Sequence, residues 1–180
     1  MLSTALRRVV AVLDALHIPY ALIGGLALAS HNVVRATKDL DFLVARHSLE
    51  ISNLAQDLEA KGLPAAARKA SQGDPVAGVV QMKVPTAQGH VTCDLIVPSF
   101  AWQAEAIRNA VSVDLEGLVV RVAAAPDLFL LKLYAGGPQD LLDAAHLLRQ
   151  QGPAERRSWK TAAEKLKLGS EYARCLKFLK

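Results

Sequence analysis

Residues 35–44 read Arg-Ala-Thr-Lys-Asp-Leu-Asp-Phe-Leu-Val, and this stretch decides the fold. Its apolar end predicts a strand over 40–44. Side chains in a strand alternate between faces, so Asp39 and Asp41 project to the same side. Two carboxylates that close repel each other unless a cation lies between them, and hard oxygen ligands suit Mg²⁺. The stretch therefore predicts a core strand that carries a candidate magnesium site on one face.

The pair Gly24-Gly25 lies upstream, between a predicted strand over 20–23 and a predicted short helix over 26–31. We interpret the pair as a turn. Glycine lets the backbone approach a phosphate closely, and a helix N-terminus attracts anions. Most such pairs are only turns, and most Asp-x-Asp pairs lie in solvated loops. The two together, in this order and both beside strands, favour a phosphate-binding site.

Asp94 interrupts an otherwise apolar predicted strand over 90–97. A carboxylate in such a strand is costly unless it is paired or bound to a metal. The alternative is an aspartate that faces solvent on an edge strand. Because titratable groups of a functional site cluster, the upstream pair favours Asp94 as a third carboxylate of the same site.

The remaining patterns predict an α/β (α+β) protein with a mixed central sheet and a helical C-terminal part. Apolar periodicity, turn signals and caps predict helices over 2–16, 49–61 (with Ser48 as its N-cap) and 99–109, strands over 63–69, 76–84 and 117–122, and helices over 127–135, 138–150, 154–166 and 170–179. We expect a core at 1–123 and a helical region at 124–180, packed as one unit with the core.

Composition narrows the class of protein. The chain has 180 residues, of which 52% are hydrophobic, so it can form a packed core and is not disordered. Cys93 and Cys175 lie far apart without a CxxC spacing, which argues against a zinc site or a disulfide scaffold and favours a reducing cytoplasm. The longest clean apolar run, residues 20–29, is shorter than the roughly 20 residues that span a bilayer. We therefore predict a cytoplasmic protein without membrane association.

Positive charge is concentrated at the end of the chain. The net charge is +4, and residues 151–180 contain eight Lys or Arg against three Glu. This segment is where attraction to nucleic acid would act. A solvated helix face is an equally good interpretation.

The order Gly-Gly, Asp39-x-Asp41 and a later strand carboxylate, Asp94, resembles the signature of the DNA polymerase β-like nucleotidyltransferase superfamily. The resemblance implies that fold and an NTP substrate, with Gly24 and Gly25 at the nucleotide. It implies that Asp39 and Asp41 bind the Mg²⁺ (or Mn²⁺) that holds the triphosphate. Asp94 would help to bind a second metal ion and act as the base for the acceptor hydroxyl.

The C-terminal half of the sequence indicates which family within this superfamily the chain resembles. Lys132-Leu-Tyr-Ala135, followed by Asp140-Leu-Leu-Asp143, looks like the K-L-x-A … D-x-x-D motif of AbiEii-type toxins of bacterial type IV toxin–antitoxin systems. The resemblance implies that Lys132 reaches the phosphates and that Asp140 or Asp143 orients it or binds the base or acceptor. An ion pair between Lys132 and Asp140 that only joins two helices is an equal alternative.

Two further cations, Arg35 and Lys38, flank the acidic pair. They are candidate triphosphate ligands, with Arg able to form bidentate bonds, or they offset the charge of the aspartates. His31 lies near the glycine pair, but a lone histidine is more often structural.

The leading hypothesis is a metal-dependent nucleotidyltransferase (EC 2.7.7 type) that transfers an NMP from an NTP to a hydroxyl on RNA, such as tRNA, or on protein. It would be toxin-like and would have a cognate antitoxin as a partner. One alternative is an aminoglycoside-type nucleotidyltransferase, against which the basic C-terminal segment argues, since an antibiotic pocket should be acidic. The other is an inactive relative that binds nucleotides or partners.

Overall fold

The computed structural model describes residues 1–45, 51–69, 71 and 76–179. Its elements in chain order are α1 (Leu2–Ala15), β1 (Tyr20–Ile23), α2 (Gly24–Ser30), β2 (Asp39–Val44), α3 (Ile51–Ala60), β3 (Ala65–Lys69), β4 (Gly78–Thr86), β5 (Gly89–Val97), α4 (Ala101–Arg108), β6 (Val111–Leu115), β7 (Leu118–Val122), α5 (Ala125–Ala135), α6 (Pro138–Arg149), α7 (Pro153–Lys165) and α8 (Gly169–Leu176), followed by a 3-10 turn at Lys177–Leu179. The predicted N-cap Ser48 lies outside the described residues.

The strands form one mixed sheet in the order β3-β4-β5-β2-β1-β7-β6. β2 is the central strand of the sheet. It is antiparallel to its neighbour β1 and parallel to its neighbour β5. β1 also pairs in parallel with β7, and the outer pairs β3–β4 and β6–β7 are antiparallel. The predicted α/β fold class with a mixed sheet is confirmed.

One face of the sheet is covered by α1 and α3, which contact strands β2, β3 and β4. Alternate residues of the inner strands β2, β4 and β5 point into this core and are fully buried, among them Leu40, Phe42, Val80 and Leu95. Burying large aliphatic and aromatic side chains stabilises the fold by roughly 1.5–3 kcal/mol each. The predicted division of β2 into a buried face and an acidic face is therefore present in the structure.

The opposite face is only partly covered. Helix α4 contacts β1 and β2 and packs against α5, and Leu43 on this face of β2 is buried. Over β3, β4 and β5 the same face remains open, with Gln81 exposed and Asp94 half-buried. The acidic residues of β2 lie at the border between the covered part and the open part.

Two local predictions need correction. No strand was predicted between 109 and 117, but β6 lies there and forms a hairpin with β7 through Glu116 and Gly117, both at positive φ (55° and 76°). Such a two-residue turn is usually marked by Asn-Gly or Asp-Gly, and Glu-Gly does not stand out. The predicted turn at Gly24-Gly25 was also wrong, because both glycines belong to the first turn of α2.

The C-terminal helices are bounded by prolines and glycines, as predicted from the sequence. α5, α6 and α7 each have a proline within their first two positions, and α5 ends at Gly136 in the left-handed conformation (φ 66°). Buried residues of α5, including Phe129, join the same hydrophobic cluster as the sheet. The division at 123/124 stays a prediction. Over the described ranges, no helix has the length and apolar character needed to cross a bilayer.

Candidate active site

The three predicted metal-binding carboxylates come together on the sheet. β2 and β5 are parallel neighbours, and their register puts Asp41 beside Asp94, with Asp39 beside Thr92. Residues paired in this way direct their side chains to the same face. Asp39, Asp41 and Asp94, here called the strand aspartates, therefore share one patch on the half-open face of the sheet.

Asp39 and Asp94 each accept a hydrogen bond from a neighbouring side chain. Thr37 Oγ1 donates to Asp39 Oδ1 at 2.7 Å. Gln81 Nε2 donates to Asp94 Oδ1 at 3.0 Å from the adjacent strand β4. The sequence analysis assigned no role to Thr37 or Gln81. Thr37 could have been suspected from its position two residues before Asp39, whereas Gln81 is brought to Asp94 only by strand register.

The pKa of Asp41 is shifted by its surroundings. Burial and, next, the negative charges of Asp39 and Asp94 raise the pKa of its carboxyl to about 6, and the positive charges of Lys132 and Arg35 partly oppose this rise. Burial and the neighbouring negative charges both disfavour the charged form of the Asp41 carboxyl. A positive charge placed between the strand aspartates would relieve this repulsion.

The glycine pair is required by close contacts with the acidic strand. A Cβ built on Gly24 would lie 2.1 Å from Asp41 Oδ2, and Gly24 has a φ of +71°. A Cβ on Gly25 would lie 2.6 Å from the Cβ of Thr37. No side chain fits at either position. The start of α2 thus packs directly against Asp41 and against the threonine that holds Asp39.

Across from the strand aspartates, α5 and α6 contribute a second charged group. Lys132 Nζ lies 2.7 Å from Asp140 Oδ1 and 3.0 Å from Asp143 Oδ2. Arg35 Nε lies 3.3 Å from the same Asp143 oxygen. We call these four residues the ion-pair cluster. Asp143 is buried (1% exposed), and its Oδ1 accepts a hydrogen bond from Gln139.

The contacts of Asp143 Oδ2 are charge contacts rather than hydrogen bonds. Asp143 Oδ2 and Arg35 Nε are buried atoms without a hydrogen-bond partner, because their angles are unfavourable although the distances suit ion pairs. The ion pair between Lys132 and Asp140, by contrast, is also a hydrogen bond. Asp143 therefore holds two cations by charge, and neither cation is locked by a directional bond to that oxygen.

A cleft of about 300 Å³ separates the two charged groups. We call it the central cleft. Its polar lining consists of Asp41, Arg35, Lys132 and Asp140, and Gly24 forms part of its wall. Its apolar lining comes from Ile23, Ile96, Leu128, Leu131 and Ala135. Two carboxylates and two cations thus face the same space, beside an apolar surface.

The structure also places the other candidates. Lys38 is exposed next to Asp39 and is absent from the lining of the central cleft. His31 Nε2 hydrogen bonds to the Ala123 carbonyl oxygen at 2.8 Å, which is a structural contact between α2 and the end of β7. Within the described part of the chain, no three His, Cys, Asp or Glu side chains converge tightly enough to form a metal site as they stand. Asp39 and Asp94 are turned toward Thr37 and Gln81 instead.

Solved structures with a similar fold are nucleotidyltransferases. The solution structure of the antibiotic-resistance factor ANT(2″)-Ia matches with a TM-score of 0.61 at 12% identity and covers 95% of each chain. ANT(2″)-Ia in complex with adenylyl-2″-tobramycin matches at 0.51 and 16% identity, covering 97% of this chain and 96% of that one. An antigenic nucleotidyltransferase-like protein from Paracoccidioides brasiliensis matches at 0.50 and 18% identity, covering 92% and 87%. At such identities the likeness shows the fold.

The fold places the chain among proteins with the nucleotidyltransferase fold, and a family match shows the enzyme class to be nucleotidyltransferase. Residues 4–173 match the family described as nucleotidyl transferase AbiEii toxin of type IV toxin–antitoxin systems, and the chain belongs to this family. No curated protein matches the sequence. The predicted superfamily, family and enzyme class are confirmed, whereas the roles of single residues stay predictions.

Proposed function

We propose that the protein transfers a nucleoside monophosphate from an NTP to a hydroxyl group of RNA, with tRNA as the favoured acceptor, and that the reaction depends on Mg²⁺ or Mn²⁺. One observation carries this proposal: the central cleft has Asp41, beside the other two strand aspartates, on one side and Lys132 and Arg35 on the other. Acids that can hold a cation and cations that can hold phosphates are the two requirements of a metal–triphosphate site.

The strand aspartates suit a divalent cation. All three are hard oxygen donors on adjacent strands, and the pKa of Asp41 is raised by burial and by the charges of the other two. Asp39 can turn toward Asp41 by a side-chain rotation away from Thr37, whereas Asp94 already lies beside Asp41 while it accepts the hydrogen bond from Gln81. A divalent ion held there would supply charge neutralisation for the triphosphate and the pyrophosphate leaving group.

The positive side of the cleft would bind the triphosphate. Lys132 is only 11% exposed in its side chain, and it points into the cleft together with Arg35. Asp143 holds both cations in place from the buried side. The first turn of α2, where Gly24 forms part of the wall of the cleft, would add backbone N–H groups for the phosphates.

The proposed chemistry is one in-line substitution at phosphorus. The acceptor hydroxyl oxygen forms a bond to the α-phosphorus, and the bond from that phosphorus to the bridging oxygen of pyrophosphate breaks. Asp94 accepts the hydroxyl proton, and the leaving pyrophosphate keeps its electron pair. In this class of reaction the protein contributes mainly positioning and electrostatic stabilisation.

RNA is favoured as the acceptor by charge. Six cations on α7, α8 and the segments around them are exposed: Arg157, Lys160, Lys165, Lys167, Arg174 and Lys177. The segment 151–180 has eight Lys or Arg against three Glu. Such a surface attracts a polyanion and repels a polycationic aminoglycoside. Membership of a toxin family further supports an activity that a cognate antitoxin restrains in the cell.

The test is an incubation of the purified protein with Mg²⁺, each α-labelled NTP in turn and total tRNA. The double variant Asp39→Ala, Asp41→Ala is expected to lose all transfer. The control Asp14→Ala, Glu59→Ala removes two exposed acids from α1 and α3 and should keep it. Label in tRNA, lost only in the first variant, supports the proposal. Label found in the protein itself or in added tobramycin, but not in tRNA, would contradict RNA as the acceptor.

A further inference from the structure

A second cleft lies on the other side of the strand aspartates. It has a volume of about 260 Å³ and is lined by Ala66, Ala67, Arg68, Val79, Gln81 and Asp94. We call it the β3–β4 cleft. It shares no lining residue with the central cleft. Asp41 faces the first space and Asp94 the second, so the acidic patch separates two cavities.

Gln81 is the residue that connects Asp94 to this cleft. In the antiparallel pair β4–β5, Gln81 is directly opposite Asp94, and in the pair β3–β4 it is directly opposite Ala66. All three side chains therefore share the open face of the sheet. Ala66 is small and exposed, and it leaves room above the strands beside Gln81.

The hydrogen bond between Gln81 and Asp94 has a directional consequence. The Gln81 amide donates to Asp94 Oδ1 at 3.0 Å and so orients the carboxylate. The amide carries no charge, so it fixes the group without neutralising it. Both residues are accessible to solvent, where one hydrogen bond adds little to stability. Holding the carboxylate in one orientation is the larger effect.

We propose that the β3–β4 cleft is the acceptor subsite, where the hydroxyl-bearing terminal unit of the acceptor binds, and that Gln81 is the positioning residue that aims Asp94 at this hydroxyl. The inference rests on the nucleotidyl transfer proposed above. It separates the substrates in space: the triphosphate lies between Asp41 and Lys132, and the acceptor approaches Asp94 from the open face.

The first test blocks the cleft. Ala66→Trp places a large side chain on the edge strand β3, where the native residue is exposed. The control Ser112→Trp makes the same kind of change at an exposed position of the opposite edge strand, β6. With total tRNA as the acceptor, the first variant should raise the tRNA KM by about tenfold or more and leave NTP binding unchanged. An unchanged tRNA KM would overturn the subsite.

The second test removes the orienting bond. Gln81→Leu keeps the size of the side chain but cannot donate, and it should lower kcat by about 10-fold to 100-fold, as is usual for residues that orient active-site ligands. The KM for tRNA and the NTP dissociation constant should stay within a factor of about two. Lys83→Leu, on the same face of β4 and opposite Thr92, is the control. A kcat equal to that of wild type would show that Gln81 positions nothing.

A third measurement separates failure of the subsite from failure of the proposed function. Hydrogen–deuterium exchange of the wild-type protein with and without total tRNA needs no turnover. Protection of 65–69 and 78–86, lost in Ala66→Trp, supports the subsite even if no label is transferred. Transfer without such protection would retain the function and overturn the subsite, and absence of both would overturn both.

Discussion

The two sides of the central cleft hold acids in opposite electrostatic situations. On α6, Asp140 and Asp143 are each in contact with a cation, at 2.7 Å and 3.0 Å from Lys132. Among the residues that the structure describes, the strand aspartates have no Lys or Arg within ion-pairing distance. The helical acids are paired and serve to hold cations in place. The strand aspartates leave negative charge uncompensated, which is the arrangement expected of groups that bind a cation from solution.

The largest expected effect is on the strand side. Asp41→Asn keeps the shape of the side chain and removes the buried charge. Because we expect this carboxylate to hold the catalytic metal ion, transfer of labelled nucleotide to tRNA should fall by more than about 1,000-fold. Mg²⁺ titration followed by NTP binding should show weaker binding. Full activity in this variant would remove Asp41 from the site.

The next effect is on the helical side. Lys132→Met should lower transfer between about 100-fold and 1,000-fold, since one donor to the developing charge is lost. It should also lower the free energy of unfolding by about 1–3 kcal/mol, because Asp140 and buried Asp143 lose a partner. The measurements are label transfer and urea unfolding.

The control for this change is Lys160→Met, which breaks an exposed pair with Glu164 at 3.6 Å. It should change stability by less than about 1 kcal/mol and leave transfer intact. If Lys132→Met lowered stability but not transfer, the ion-pair cluster would be a structural link between α5 and α6, as the alternative interpretation of its sequence had it.

A third change tests the close packing of α2 on the acidic strand. Gly24→Ala and Gly117→Ala introduce the same methyl group at similar φ values, +71° and +76°. Only the first methyl group meets a neighbour, Asp41 Oδ2 at 2.1 Å, whereas the nearest atom to the second is 3.9 Å away. Both should lose about 1–2 kcal/mol to the left-handed backbone. Gly24→Ala should in addition lose about 10-fold to 100-fold in transfer because Asp41 is displaced. Equal activities would contradict the close contact.

The smallest expected effect is a pH dependence of stability. The pKa of Asp41 is raised from 3.8 to about 6 by burial and by its acidic neighbours. The folded protein therefore binds this proton more tightly than the unfolded chain. Without divalent cations, the contribution of Asp41 to the free energy of unfolding should fall as the pH rises from 3.8 to about 6 and stay low above it.

Urea unfolding of wild type and Asp41→Asn at several pH values without metal measures this contribution as a difference. The gap should widen in favour of the variant as the pH rises. Addition of Mg²⁺ at pH 7 should stabilise wild type more than the variant, since a ligand that binds only the folded state shifts the equilibrium toward it. If the difference in unfolding free energy between wild type and variant did not change with pH, the surroundings of Asp41 would not raise its pKa.

Local sequence pattern was sufficient for most elements of the fold and for the acidic strand. Alternation in residues 39–44 predicted both the strand and the face that Asp39 and Asp41 share, and prolines and glycines marked the C-terminal helices. β6 was missed because five alternating residues at a sheet edge and a Glu-Gly turn give a weak signal. The helical start at Gly24 was missed because glycine disfavours helices in general, and only its contact with Asp41 makes it necessary here.

The local sequence was enough to select the candidate site residues: three carboxylates in strands, a glycine pair, and a lysine and two aspartates at helical spacing. These signals lie within short windows, where backbone periodicity decides which side chains share a face. Only the tertiary structure decided what the groups face. Strand register puts Gln81 beside Asp94, and the packing of the whole chain brings Arg35, in the segment before β2, to Asp143 on α6, 108 positions away in the chain. Such contacts depend on which strands and helices become neighbours, and that is set by burial of the whole apolar core rather than by any local pattern.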